Sequence, residues 1–352
     1  MRQQVRYVTT ADGVNLAWSA LGRGLPLVKA ATWLTDLQYD LESPVWLHWI
    51  RFLSEHFRCI RYDERGCGMS DRDVPDLSSA HWVGDLEAVV EAAGIDRPFA
   101  LLGMSQGAAT AIQYAVAHPS RVSHLILYGG YAVGPNRSDD PQRREMYRAV
   151  SDVVRLGWGS GNPAFRQLFT SRFAPGGTQA QLDWFNELCR RTTSPENAGR
   201  LLAARGEIDV RALLPQVRVP TLVLHADNDH IAPLAQGRAL AAQIPGAQFV
   251  QLESHNHVLL ENEPAWHALQ RALLDFTGQS GEGAKPSAPS LTARERKLLA
   301  LLGEGQSNAQ IAFALGIAEK TVRNHFSNLY RKLGVRSRVE ALVRSQAMRD
   351  AG

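Results

Sequence analysis

Ser105 stands at the centre of Gly103-Met104-Ser105-Gln106-Gly107, with Phe99-Ala100-Leu101-Leu102 before it and the small-residue run AATAIQYAVA after it. A serine hydroxyl is a weak nucleophile, and it reacts only if it stands clear of the backbone beside a base that takes its proton. The Gly-x-Ser-x-Gly spacing at a sharp strand-to-helix turn does this, because the two glycines remove side chains that would collide at the bend. The pattern predicts a buried strand over Phe99–Met104 and a helix over Ala108–Ala117 that stops at His118-Pro119. A base and an orienting carboxylate are then needed. Two of each follow the serine: Asp227 and Asp229 beyond TLVLH, and His255 and His257 beyond FVQLE. All four fall just past predicted strands, at the sheet edge where open α/β folds place their ligands.

The rest of the chain supplies elements to position these groups. Gln4–Thr9 and Val14–Ala20 alternate around Ala-Asp-Gly and read as a β-hairpin. Strands are predicted at Pro26–Ala31, Cys59–Asp63, His124–Gly129, Thr221–His225 and Gln248–Leu252, with helices at Ser79–Ala93 and Pro264–Phe276 and a tryptophan-rich loop and helix over Thr32–Phe52. Strands alternating with helices imply a mostly parallel sheet covered on both faces. Between the strands at His124 and Thr221 the rhythm breaks for a helical insertion, which is expected to form a lid over about residues 131–206. Its aromatics, Trp158, Phe165, Phe169, Phe173, Trp184 and Phe185, are expected as a group to contribute to an apolar pocket. Residues 278–290, GQSGEGAKPSAPS, read as a flexible linker between a domain over 1–277 and a second over 291–352.

Charge divides at the same place. The chain carries a net charge of +3, yet residues 291–352 hold 11 Lys and Arg against 5 Asp and Glu, a net of +6 that leaves −3 for residues 1–290. A basic C-terminal part is suited to a polyanion. Its sequence predicts a helix capped by Thr292 and Glu295 and ended by Gly303 and Gly305, then a second helix over Asn308–Leu315 with Ile311, Ala312 and Leu315 on one face. A turn at Gly316 leads to a third helix over Glu319–Leu333 with Val322, Phe326, Leu329 and Leu333 inward, and a fourth begins at Ser337. Two short helices joined by a glycine turn make a helix-turn-helix, whose second helix presents its N-terminal side chains to the major groove.

Composition excludes other classes. A content of 45% hydrophobic and 21% charged residues is that of a soluble globular protein, and no run of 18 apolar residues or secretory signal pattern is present. The expectation is a cytoplasmic protein that meets no membrane. Three cysteines, Cys59, Cys67 and Cys189, without C-x-x-C spacing, indicate neither a disulfide framework nor a metal site, and no cofactor is expected.

Two resemblances sharpen this picture. Residues 1 to about 278 resemble the α/β-hydrolase superfamily through the G-M-S-Q-G turn, the D-x-R-G-x-G-x-S stretch from Asp63 to Ser70, and a late strand followed by Ala226-Asp227-Asn228-Asp229. The resemblance implies the triad Ser105, Asp229 and His257, the acid being the last position of its motif and the histidine preceding the apolar Val258. It further implies an oxyanion hole from the backbone amides of Gln106 and Trp33, although Lys29-Ala30-Ala31-Thr32-Trp33 stands where the family often has His-Gly. Asp63 and Arg65 are read as structural and Cys67 as inert. Lys29, inside an apolar strand, finds no explanation in the sequence. Leu291 to Ala347 resembles the four-helix LuxR/GerE DNA-binding domain through L-T-x-R-E, N-x-x-I-A, T-V-R-N-H and R-K-L-G-V-x-S-R, with Ala318 where that family commonly has a Ser or Thr cap. That resemblance implies that Lys320, Thr321, Arg323, Asn324 and Ser327 face DNA, Arg323 and Asn324 being suited to base edges, and that Lys332 and Arg338 contact phosphates.

The expected fold is thus an α/β-hydrolase domain with a helical lid followed by a small all-α four-helix helix-turn-helix domain. The expected function is transcription regulation, with a small-molecule ligand or ester substrate bound, and slowly hydrolysed, in the first domain, and double-stranded DNA bound by the second in a homodimer. RNA polymerase is a further candidate partner. The rival reading is a serine esterase or lactonase with a DNA-binding tail.

Overall fold

The structure, a computed structural model, describes residues 3–32, 34–279, 293–303, 306–315, 319, 321, 322 and 326. It divides into two units, 1–279 and 280–352.

The first unit is organised by one eight-stranded sheet. Strands β1 (Arg6–Thr9) and β2 (Asn15–Leu21) form the antiparallel hairpin, and β2 pairs antiparallel with β4 (Arg58–Tyr62). From β4 the sheet is parallel through β3 (Pro26–Lys29), β5 (Phe99–Met104), β6 (Val122–Tyr128), β7 (Thr221–Ala226) and β8 (Gln248–Leu252), in the order β1-β2-β4-β3-β5-β6-β7-β8. Every residue of β5 and β7 is buried, as expected for strands covered on both faces and read from their unbroken apolar runs.

In chain order the helices are α1 (Leu47–His56), α2 (Trp82–Ala92), α3 (Gly107–Ala117), α4 (Pro141–Gly157), α5 (Ala164–Thr170), α6 (Gln179–Thr192), α7 (Pro195–Gly206), α8 (Leu234–Gln243) and α9 (Pro264–Thr277). One core lies between the sheet and α1 with α9, where Trp49, Phe52 and Trp266 meet Leu27, Leu102 and Leu222. The other lies beneath α2, α3 and α8 and continues into the lid, helices α4 to α7, through Trp158, Phe169, Phe185 and Leu188. Asp140, Thr178 and Ser194 cap α4, α6 and α7, each accepting a backbone amide from the first turn, so the lid helices begin where the sequence offers a cap.

Three expected boundaries shift. Strand β3 ends at Lys29 rather than Ala31, although Ala30 N still donates to Leu102 O of β5 at 2.9 Å. Helix α2 starts at Trp82, preceded by turns over 78–81, and α1 runs on to His56. The lid aromatics also divide: Phe173 and Phe185 line the pocket at Ser105, Trp158 and Phe169 pack in the lid core, Trp184 stacks on Tyr39 at 4.8 Å, and Phe165 is 44% exposed.

In the second unit, α10 (Ala293–Gly303) and α11 (Asn308–Leu315) bury Leu298, Leu302, Ile311 and Ala312. Ser307 and Gln310 form a reciprocal cap at the start of α11, Gln310 N donating to Ser307 Oγ at 3.3 Å and Ser307 N to Gln310 Oε1 at 2.8 Å. Glu319, Thr321, Val322 and Phe326 are helical, the last two buried, and Leu315 is half-buried. The expected Thr292 cap, Leu329, Leu333 and the fourth helix lie outside the described residues.

Candidate active site

Ser105 follows β5 directly and has φ +51°, a conformation that an L-residue holds only under constraint. The constraint is visible. Ser105 N donates to Tyr128 O at 2.9 Å, fastening the turn to β6. A Cβ on Gly103 would come within 2.7 Å of Ala108 Cα, so close approach requires that glycine, and one on Gly107 would crowd Ala31 O at 3.1 Å. The turn delivers Ser105 to the C-terminal edge of the sheet.

Asp229 lies three residues beyond β7 and His257 five beyond β8, and the adjacency of β7 and β8 brings them together. His257 Nδ1 is 2.6 Å from Asp229 Oδ2, while Asp229 Oδ1 accepts from the amides of Ile231 and Ala232 at 2.7 and 2.9 Å. Burial would raise the Asp229 carboxyl, but the His257 ring and these amides outweigh it and hold the group below its ordinary range. Asp227 is engaged elsewhere, accepting from Ser254 N and Asn228 Nδ2, and His255 is exposed. Geometry thus pairs Asp229 with His257 and leaves the competing residues aside. Ser105 Oγ and His257 border one pocket; among the described residues no hydrogen bond joins them, and triad contacts of this kind commonly tighten only when substrate binds.

The pocket has about 400 Å³ of unfilled space, its mouth included. Leu34, Trp46, Phe173, Phe185 and Val258 give it apolar walls, and Thr32 and Gln106 join Ser105 in its polar lining. The backbone amide of Gln106 has no acceptor among the described residues, as an oxyanion donor requires. Trp33, the other expected donor, lies outside the described residues. Its neighbour Leu34 has φ +61°, and Asp63 holds the loop by accepting from Thr35 Oγ1 at 2.8 Å and from the amides of Leu37 and Met69 at 3.0 Å. Arg65 pairs with Asp85 of α2 and with Asp12 of the turn between β1 and β2, so Asp63 and Arg65 are both built into the scaffold. Cys67 is fully buried and its thiol is pushed up by that burial, away from the reactive thiolate.

Several supporting residues carry no local sequence signal. Tyr128 Oη donates to His257 O at 2.8 Å. A Cβ on Gly129, φ +56°, would lie 3.1 Å from His257 Cε1, so the residue after β6 must be small. His225, wholly buried, donates from Nε2 to Ala232 O at 2.7 Å and so braces the loop whose amides hold Asp229; burial lowers its pKa and keeps it neutral. Glu263 gathers Ser254 Oγ, Asn256 Nδ2 and the Leu260 amide, shaping the histidine loop. The lid joins in: Val258 N donates to Phe173 O at 2.9 Å, Gly176 N to Asn256 Oδ1 at 2.9 Å, and Arg172 Nη2 to His230 O at 3.2 Å, while the Phe173 ring meets His257 edge-on. Glu263 and His225 could have been suspected only as polar residues near the two loops.

Of the residues expected to face DNA, Thr321 is described, helical and exposed. Lys320, Arg323, Asn324, Ser327, Lys332 and Arg338 lie outside the described residues. No group of metal-ligating side chains occurs among the described residues, and no described helix is long and apolar enough to cross a membrane.

Residues 39–264 match the family model of the alpha/beta hydrolase fold, which spans more than half of the chain, and the protein belongs to that family. Residues 289–345 match the model of the bacterial regulatory proteins of the luxR family, so a hydrolase-fold domain and a DNA-binding helix-turn-helix domain share one polypeptide. Among curated proteins the chain is similar to the AB hydrolase superfamily protein YisY of Bacillus subtilis, 27% identical over 263 residues that cover 71% of this chain and 91% of that protein. It is also similar to the putative carbamate hydrolase RutD of Klebsiella pneumoniae, 28% identical over 60% of this chain and 79% of the relative. An esterase from Exiguobacterium antarcticum has the same fold, with a TM-score of 0.66 at 22% identity, covering 78% of this chain and all of that one.

Proposed function

We propose that this protein is a cytoplasmic transcription regulator whose hydrolase domain, residues 1–277, binds a small ester or lactone and turns it over slowly at Ser105. Residues 278–290 link it to a DNA-binding domain over 291–352. The observation that carries the catalytic half is the 2.6 Å contact of His257 Nδ1 with a carboxylate held ionised, which leaves His257 Nε2 to serve as base beside Ser105. The serine proton passes to Nε2 as Oγ attacks the carbonyl carbon, and the oxyanion forms against the Gln106 amide. Collapse breaks the acyl C–O bond, the imidazolium protonates the leaving alkoxide, and water repeats the sequence to free the acid. No cofactor is needed for these steps. The luxR-family match supports the other half: a homodimer on paired half-sites of duplex DNA, with Lys320, Thr321, Arg323, Asn324 and Ser327 in the major groove and Lys332 and Arg338 on phosphates. RNA polymerase is a natural further partner for a regulator of this kind.

Intact-mass labelling with a small fluorophosphonate tests the triad. One adduct is expected on the wild type and none on Ser105→Ala or His257→Ala; an unlabelled wild type would reduce the domain to a receptor. On the DNA side, Arg323→Ala is expected to cost about 1–3 kcal/mol of operator affinity and to relax sequence preference. Unchanged binding would remove that residue from the recognition helix.

A further inference from the structure

Hydrogen-bond donors accumulate beside Ser105 without acceptors to receive them. Thr32 is 7% exposed and borders the pocket, and Lys29 Nζ donates to its Oγ1 at 3.0 Å. An ammonium group cannot accept, so Thr32 Oγ1 accepts from Lys29 with one lone pair and its own proton is directed away from Lys29. Gln106 is 5% exposed, and its amide Nε2 is buried with no hydrogen-bond partner. Trp46 Nε1, on the same pocket, is in the same condition. Trp18 and Trp82 also have unpartnered indole nitrogens, but they sit in the packed core rather than beside the pocket. His257 Nδ1 is engaged with Asp229, and no acceptor among the described residues meets the Gln106 and Trp46 donors. A buried donor without an acceptor is unfavourable until something supplies one.

Building on the reading of this pocket as a hydrolase site, we infer that its ligand is an ester or lactone with a second acceptor oxygen, an ether or carbonyl near the scissile group, received by the Thr32 hydroxyl and the Gln106 amide. Lys29 is a positioning residue, acting through Thr32, which accounts for a lysine at the end of an otherwise apolar strand. The Gln106 side chain thereby has a role separate from that of its backbone amide. A plain fatty acyl chain would fill the apolar walls and leave the donors unmet.

The test compares ethyl pentanoate with ethyl 3-oxapentanoate, which differ by one methylene exchanged for an ether oxygen. Each is titrated calorimetrically into the full chain carrying Ser105→Ala, so that no turnover intrudes. The oxygen-bearing ester is expected to bind about fivefold more tightly. Adding Thr32→Val or Gln106→Leu should bring that preference below twofold, while Thr32→Ser keeps it and controls for folding. Lys29→Met should weaken the preference and Lys29→Arg restore it. Equal affinity for the two esters, a preference that survives both variants, or no binding of either ester at millimolar concentration overturns the inference. Fluorophosphonate labelling of the wild type keeps the two readings apart: labelling without preference defeats the recognition scheme and leaves the triad standing, and preference without labelling does the reverse.

Discussion

Ser105 and Leu34 are the two non-glycine residues with positive φ among the described residues, at 51° and 61°, and they border the same pocket from adjacent loops. Each conformation costs on the order of 1–2 kcal/mol, and the two are sustained in different ways. The turn at Ser105 is permitted by removal: Gly103 and Gly107 supply the space that Ala108 and Ala31 would otherwise contest. The turn at Leu34 is imposed by attachment. Asp63 reaches up from the end of β4 to hold Thr35 and Leu37, and Thr192 Oγ1 in the lid donates to Thr35 O at 2.5 Å. Strain maintained by space leaves a local sequence signature, whereas strain maintained by tertiary hydrogen bonds does not.

This contrast can be broken by substitution. Asp63→Ala removes the acceptor of one hydroxyl and two amides in a buried place and should cost about 4 kcal/mol in urea unfolding, given about 1–3 kcal/mol for each stranded donor and some relaxation. A loss below 1 kcal/mol would mean that the Leu34 loop holds its own shape. Gly103→Ala drives a methyl group into Ala108 and should cost about 2–3 kcal/mol; a neutral result would show that the elbow has slack and that its glycine is dispensable. The smallest effect is the most diagnostic. At position 34, Gly should give a fold more stable than Ala by about 0.5–1 kcal/mol, because only Ala carries the positive-φ penalty and neither keeps the leucine's packing. If Ala proves the more stable, Leu34 is not strained.

Much of the scaffold was legible from sequence. The strands β5 and β7 announce themselves as apolar runs, and the order serine, acid, histidine places three groups on one edge once the strands are parallel. What could not be read locally was choice among near neighbours. Asp227 and Asp229 are both polar residues past one strand; the family resemblance favours Asp229, and the approach of β8 gives the physical reason, since Asp229 meets His257 while Asp227 accepts from the Ser254 amide. The same holds for Leu34, whose backbone is decided by Asp63, distant in sequence, and for Gly129, whose constraint is a histidine ring from another strand. Lys29 looked anomalous because its partner, Thr32, belongs to a loop whose course is not periodic. The second unit shows the converse: Ile311, Ala312, Val322 and Phe326 are buried as their helical spacing requires.

The bonds from Phe173 O to Val258 and from Gly176 N to Asn256 lie on either side of His257 in the chain. A segment tied to both neighbours of the base cannot swing away and leave the base where it was. The pocket wall and the setting of His257 are therefore coupled: displacing Phe173 would remove both the ring edge against the imidazole and the acceptor of the Val258 amide. A guest too bulky for Phe173 to keep its place would thus disturb the surroundings of His257 as well as the pocket wall.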